Sequence, residues 1–348
     1  MIISREFFDE QRLPRFGKTN PERMTFAFWE WMIRDDEPRE DAGRGLEKIG
    51  LRLRNGKLKS SYGPYRARDL FNIPLNREEG PIWTFDRMGQ TRTRLPDGRL
   101  ICIGGEHEDF YDPDFFIYND VVVFTPEDGI EIYAYPKEVF PPTDFHSATV
   151  ADGQIVIIGG VGYKNERRPG HTPVYSLDLS SYCISQILTS GEMPGWISEH
   201  EASCQEGTIT IRAGQRAQER DSRQRFSRNF EDYALDLKSC VWRRLTDRNW
   251  HEFSIRQEKG ELFVLERNPK PEALIPRNIP HVILPREGNA DVRFLVEEVP
   301  VSLTINVRHI AVVVEGNLHQ SLLGRLVEEI RANTEAQVNN RCTVDHVE

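Results

Sequence analysis

Asp152-Gly153-Gln154-Ile155-Val156-Ile157-Ile158-Gly159-Gly160 decides how this chain is read. A Gly-containing turn leads into a run of β-branched residues that stops at a glycine pair. That is the pattern of a buried strand held between two tight turns. The stretch recurs as Asp97-Gly-Arg-Leu-Ile-Cys-Ile-Gly-Gly105 upstream and Glu206-Gly-Thr-Ile-Thr-Ile-Arg-Ala-Gly214 downstream, with a weaker copy at Lys259-Gly-Glu-Leu-Phe-Val-Leu-Glu-Arg267. The turn glycines Gly98, Gly153, Gly207 and Gly260 are 55, 54 and 53 residues apart. Near-constant spacing of that size marks a repeat architecture.

Working outward, each copy supplies further strands. Thr91, His146, His200 and Phe253 stand seven residues ahead of the turn glycines, at the head of a first strand. Val121–Phe124, Val174–Leu179 and Tyr233–Leu237 follow the glycine pairs as third strands. Ile130–Tyr133, Ile184–Leu188 and Cys240–Leu245 read as fourth strands. Four antiparallel strands in a repeat of about 50 residues is the plan of a β-propeller blade.

These residues resemble the kelch repeat. The resemblance rests on His146, Gly159-Gly160, Tyr175 and Leu177-Asp178 in one copy. In the next it rests on His200, Tyr233, Leu235-Asp236 and Trp242, with Ala213-Gly214 replacing the glycine pair. The first copy keeps Gly104-Gly105 but has Thr91 for the histidine and Phe124-Thr125 for Leu-Asp. The resemblance implies a mainly β fold, a kelch-like β-propeller with three clear blades and one degenerate blade. Either residues 40–80 and 270–315 add divergent blades, with Gly56 as a decayed turn, or the ring is four-bladed, or a partner chain closes it. Kelch folds host both enzymes and binding scaffolds, so the resemblance fixes no activity. The iron-dependent specifier proteins among kelch relatives hold iron through spaced acids and a histidine on one loop. The spacing here differs, and no ligand carries over.

Three segments follow: 1–80 without the repeat, 81–268 with it, and 269–348 as a C-terminal module. Asn20-Pro21-Glu22 reads as a helix start. Met24, Phe28, Trp31 and Met32 then follow helical spacing, with Phe26, Trp29 and Ile33 between them, so a buried helix is expected. Beyond Pro269, Pro271, Pro276 and Pro280, strands are expected at 292–296, 301–307 and 310–314. A helix then opens near Asn317, with Leu318, Leu322, Leu326 and Ile330 on one face. This reads as a small α+β unit, packed on the propeller or used for homo-oligomerisation.

The formal net charge of −10 argues against a broad nucleic-acid surface. No apolar run is long enough to span a membrane. The acids in Met1-Ile-Ile-Ser-Arg-Glu-Phe-Phe-Asp-Glu stand where a signal peptide is apolar, so a cytoplasmic protein is expected. The five scattered cysteines read as free thiols.

In a blade, the start of the first strand and the loop between the second and third strands share one end. That end is expected to gather Asp144, His146, Glu199 and His200 with the loops 106–114, 163–168 and 215–225. Glu106, His107, Glu108 and Asp109 have the ligand types for a divalent metal, set against the reading of an acidic solvated loop. His146 and His200 occupy equivalent positions, which suits a strut between blades; with Glu199 they are also the acid–base candidates. Asp144, Arg167, Arg168 and Arg216 are the ligand-binding candidates, since arginine clamps anions bidentately. The arginine-rich stretch 212–228 reads as an anion clamp or as a solvated loop. Trp83, Trp196 and Trp250 suit packing between blades or stacking on sugar rings. No resident cofactor is implied. The leading expectation is a binding module for a protein or a small polar ligand. The alternative is a metal-dependent small-molecule enzyme or a sugar mutarotase or epimerase.

Overall fold

The computed structural model describes residues 4–36, 51–54, 57–60, 81–107, 115–220, 223–248, 250–258, 262–263, 269–286 and 290–347. The chain divides into two compact units, Met1–Leu245 and Thr246–Glu348. It is mainly β, built from several antiparallel sheets with few helices.

In the first unit each clear copy of the repeat is one sheet whose four strands follow chain order. The first sheet holds Thr91–Arg94, Leu100–Ile103, Val121–Phe124 and Ile130–Ala134, with Glu22–Met24 added outside the last. The second holds Ser147–Ala151, Gln154–Ile158, Val174–Asp178 and Ile184–Gln186. The third holds Glu201–Gln205, Thr208–Arg212, Tyr233–Asp236 and Val241–Arg244, with Ser190–Gly191 running parallel to Val241–Arg244. Among the described residues no closed ring of sheets is found.

Local chemistry sets these hairpins. Ala151 pairs with Gln154 across a two-residue loop in which Asp152 and Gly153 both have positive φ, 44° and 78°. Such turns match the right-handed twist of the strands they join. The Leu-Asp of the third strand closes the next turn. Asp178 Oδ1 accepts from the amides of Ser180 and Ser181, and Asp236 Oδ1 accepts from that of Ser239.

The sheets stack face to face through apolar layers. Ile101, Ile103, Val121 and Val123 pack against Ile155, Ile157, Leu177 and Ile184. On its other face the second sheet offers Val156, Ile158 and Val174 to Ile209, Ile211, Tyr233, Leu235 and Trp242 of the third. The outer face of the first sheet, with Cys102, Val122 and Ile132, packs with the helix Ala27–Asp36, whose Phe28, Trp29 and Ile33 are fully buried. Trp29 stacks on Trp83 with ring centroids 4.7 Å apart.

The glycine pair sets how closely the sheets approach. In the first two copies the second glycine donates its amide to the lead-in of the next sheet: Gly105 to Thr143 O and Gly160 to Ile197 O, each at 2.8 Å. The first glycine lies so near that same carbonyl that a Cβ would come inside any contact a real one makes. A second link runs alongside. His146 Nε2 is 2.9 Å from Thr91 Oγ1, and His200 Nε2 is 2.8 Å from Ser147 Oγ.

Three expectations change. Asn20-Pro21-Glu22 opens no helix: Glu22–Met24 is a strand and the helix starts at Ala27. The Asn20 amide is engaged instead with an edge strand, donating to Ile184 O at 2.7 Å and accepting from Ile184 N at 2.9 Å. The strand His251–Gln257, read above as part of a fourth blade, pairs with Ile310–Val314 and Cys342–His346 in the second unit. The boundary between units therefore falls after Leu245, ahead of residue 268. Lys259, Gly260 and Glu261 of the weak fourth copy lie outside the described residues, as does Gly56.

The second unit is a six-stranded sheet ordered Val282–Leu284, Val292–Val296, Val299–Ile305, Ile310–Val314, His251–Gln257 and Cys342–His346. Helix Gln320–Val338 buries Leu326 and Ile330 in the core it forms with the sheet, and Leu322 and Leu323 pack at its margin. Its N-cap is His319 rather than Asn317, and Asn339 ends it in the left-handed conformation. Among the described residues no helix is long and apolar enough to cross a membrane.

The two kinds of repeat glycine should respond differently to substitution. Gly153 meets nothing within 4 Å, so Gly153→Ala should lose only its conformational freedom, about 1–2 kcal/mol. Gly159→Ala must also displace the Ile197 carbonyl and should lose more, about 3 kcal/mol or above, in urea unfolding. Equal losses would show that the close approach does not govern stacking.

Candidate functional site

The stretch Gly160-Val161-Gly162 builds the site by wrapping Asp144. Val161 N donates to Asp144 O at 3.0 Å, and Gly162 N donates to Asp144 Oδ1 at 2.6 Å. Gly162 has φ of 61°, a conformation open to glycine. The carbonyls of the same turn take up Arg167, which donates from Nε to Val161 O at 2.9 Å and from Nη2 to Gly162 O at 3.0 Å. Trp196 Nε1 also donates to Val161 O, at 3.1 Å. One short turn thus fixes a carboxylate, a guanidinium and an indole.

Asp144 is fully buried, and its Oδ2 has no hydrogen-bond partner among the described residues. Glu106, on the short strand Glu106–His107 of the preceding repeat, brings its carboxyl within interaction distance of Asp144. Burial pushes the Asp144 carboxyl above its ordinary range, opposed by the Gly162 amide, Glu106 and the Arg167 charge. Burial likewise lowers the Arg167 guanidinium, while Asp144 and Glu106 raise it.

The loops around this centre touch one another. Tyr163 Oη accepts from Ile117 N at 3.0 Å, which ties the 163–168 loop to the strand Phe116–Ile117. Arg167 lies over the Phe226 ring, 4.8 Å from its centroid. Phe226 belongs to the hairpin of Gln215–Arg220 and Arg223–Arg228, which pairs with Trp196–Ser198. The arginine-rich stretch is therefore a β-hairpin, where the sequence suggested a loop.

The remaining candidates fall elsewhere. His146 and His200 are buried between sheets, and burial pushes their imidazoles down to about 3 and about 4. His146 Nδ1 has Thr143 Oγ1 at 3.5 Å, whereas Ile197 stands at that position in the next repeat and His200 Nδ1 has no partner among the described residues. Glu199 is exposed and accepts from Gln215 Nε2 at 3.0 Å. Arg168 is exposed and its charge helps lower His171. Arg216 lies in the hairpin, in register with Ile197 and Ser227. Glu106 and His107 are neighbours in a strand and so point to opposite faces. Among the described residues no group of three or more His, Cys, Asp or Glu could hold a metal, and Glu108 and Asp109 lie outside those residues.

Sequence reasoning missed the ion pair of Arg87 and Asp120. Arg87 Nη2 donates to Asp120 Oδ2 at 2.9 Å, Nε donates to Thr84 O at 2.7 Å, and Trp83 Nε1 donates to Asp120 Oδ2 at 2.8 Å. Pro142 and Trp196 stand where Arg87 stands in the next two copies, so the repeat gives no signal for the pair.

No family model matches the chain, and no curated protein matches it. Among solved structures, the chain is similar to one titled "Structure of YjhT", at 10% identity and a TM-score of 0.36, covering 74% of this chain and 68% of that one. A likeness at that level assigns no function.

The buried groups predict opposite pH dependences. His146 and His200 have folded values below the ordinary 6.5, so their contribution to stability is full above that pH and is lost as pH falls through about 4 and about 3. His200→Gln should flatten the fall in unfolding free energy below pH 6.5, by up to about 1.4 kcal/mol per pH unit; an unchanged slope would contradict it. Asp144 is raised, so its contribution is full below 3.8 and is lost as pH rises through the folded value. Asp144→Asn should therefore gain stability relative to wild type as pH rises from about 4 to about 8, read from melting temperatures across that range.

Proposed function

We propose that residues 81–245 are three blades of a kelch-like β-propeller architecture and that their loop end is a binding module for a small polar ligand centred on Asp144. The observation that carries this reading is the fully buried Asp144 carboxyl, with one oxygen unpartnered among the described residues, set against Glu106 and beside Arg167. Buried polar groups are ordinarily satisfied, and an unsatisfied one carries a free-energy penalty that a ligand or water can relieve. Val161, Gly162 and Trp196 fix the geometry through backbone and indole hydrogen bonds, so the site is pre-organised.

A second reading is acid–base chemistry at the same centre, as a sugar mutarotase or epimerase would need. It is favoured by the raised Asp144 carboxyl next to a second acid, since a general acid must hold its proton near the working pH.

A thermal-shift screen of small polar metabolites against the full chain tests the binding reading. At least one compound should raise the melting temperature of wild type and fail to raise that of Asp144→Asn, which keeps an acceptor for the Gly162 amide. A screen without any stabilising compound, or an equal response in the variant, overturns it. For compounds that bind, exchange between anomers followed by proton NMR separates binding from catalysis: acceleration by wild type that is lost in Asp144→Asn supports the enzyme, and no acceleration removes it.

A further inference from the structure

We infer that His251 and His346 form a two-histidine site for a divalent ion of the later first-row transition series, nickel, copper or zinc. The ion would clamp the C-terminal strand to its sheet. The site lies in the second unit and is independent of the reading of Asp144.

The two histidines stand on neighbouring strands. His251 opens His251–Gln257, and His346 ends Cys342–His346, the edge strand of the six-stranded sheet. Phe253 stands directly opposite His346 in the antiparallel pairing, and Val347 N donates to Glu252 O at 2.7 Å beside it. His251 is two residues from Phe253, so its side chain leaves the same face of the sheet as those of Phe253 and His346. His346 is exposed and His251 half-buried, which lets an ion reach the pair from solvent.

The ring spacing fits one shared ion. The two imidazole centroids are 5.6 Å apart. A metal–nitrogen bond of about 2.0–2.1 Å, added to about 1.1 Å from nitrogen to ring centre, puts two imidazoles on one ion about 5 Å apart at the tetrahedral angle and about 5.5 Å apart at 120°. Phe253 stacks on His346, with centroids 4.6 Å and planes 22° apart, and its centroid lies 6.3 Å from that of His251. Stacking uses the face of an imidazole, whereas ligation uses an in-plane lone pair at its edge. Phe253 therefore orients His346 without covering the edge that would bind.

Ligand chemistry sets the class of ion. Imidazole suits nickel, copper and zinc, while magnesium and calcium take oxygen ligands. Two protein ligands are fewer than the four of a structural zinc site, so water completes the coordination and the ion exchanges. The ligands are 95 residues apart in the chain. An ion held by both ties the edge strand to its neighbour and stabilises the native state, since an unfolded chain does not hold the two rings at this spacing.

The test uses the untagged full chain and isothermal titration with Ni²⁺, Cu²⁺ and Zn²⁺, with Mg²⁺ as the oxygen-preferring control. Wild type should bind one equivalent of at least one of the three at a site that His251→Ala and His346→Ala each weaken at least about tenfold, because two ligands fixed at a matching separation reinforce each other. His281→Ala, whose ring lies against Phe294, should leave that site unchanged. The same ion should raise the urea midpoint of wild type and not that of His346→Ala. Circular dichroism and melting curves show whether each variant is folded, and the exposed His346 alone decides the question where His251→Ala is not. Absence of binding, a site lost with only one of the two histidines in folded variants, a site that survives His346→Ala, or equal binding of Mg²⁺ overturns the inference.

Discussion

The stack of sheets depends on a missing side chain. At Gly104 and Gly159 the backbone of one repeat runs against a carbonyl of the next, and the amide one residue later bonds to that carbonyl. Any Cβ there separates the sheets and breaks the bond. With the approach fixed, the imidazoles of His146 and His200 reach hydroxyls on the preceding sheet, and the isoleucine and valine layers close between them. The histidines are buried by the same approach that gives them partners, and that burial keeps them neutral.

The candidate site is a by-product of this packing. The peptide that follows the second glycine pair turns back on Asp144, and so the element that spaces the sheets also holds the carboxylate. Glu106 directly follows the first glycine pair, Gly104-Gly105, as Val161 follows the second. One copy of the device supplies an acid, and the next copy holds the acid that meets it.

Much of this was legible in the sequence. The repeat period located all four strands of three sheets, because turn glycines and β-branched runs are local signals that tertiary contacts reinforce. The same period named Asp144, Arg167 and Glu106 as residues of one end, but it assigned Glu106 to a metal site, since sequence spacing shows neither burial nor which face a strand residue takes. Arg87 and Asp120 were invisible because their partnership crosses 33 residues and the arginine has no repeated counterpart. The weak fourth copy misled for a related reason. A Gly-turn and a short apolar run fit many sheets, and His251–Gln257 found its hydrogen-bond partners in the second unit.

The third copy differs from the first two in a way that gives the repeat a direction. Thr208, Ile209, Thr210 and Ile211 alternate where Ile155–Ile158 is apolar throughout, so only one face of that strand is built for another sheet. Ala213 stands where Gly104 and Gly159 stand, and it occupies the same left-handed conformation with φ of 56°. A repeat inserted between the second and third copies would find a bare backbone to pack on. One joined behind the third would meet a methyl group and a row of threonines, so the two ends of the series present different packing surfaces.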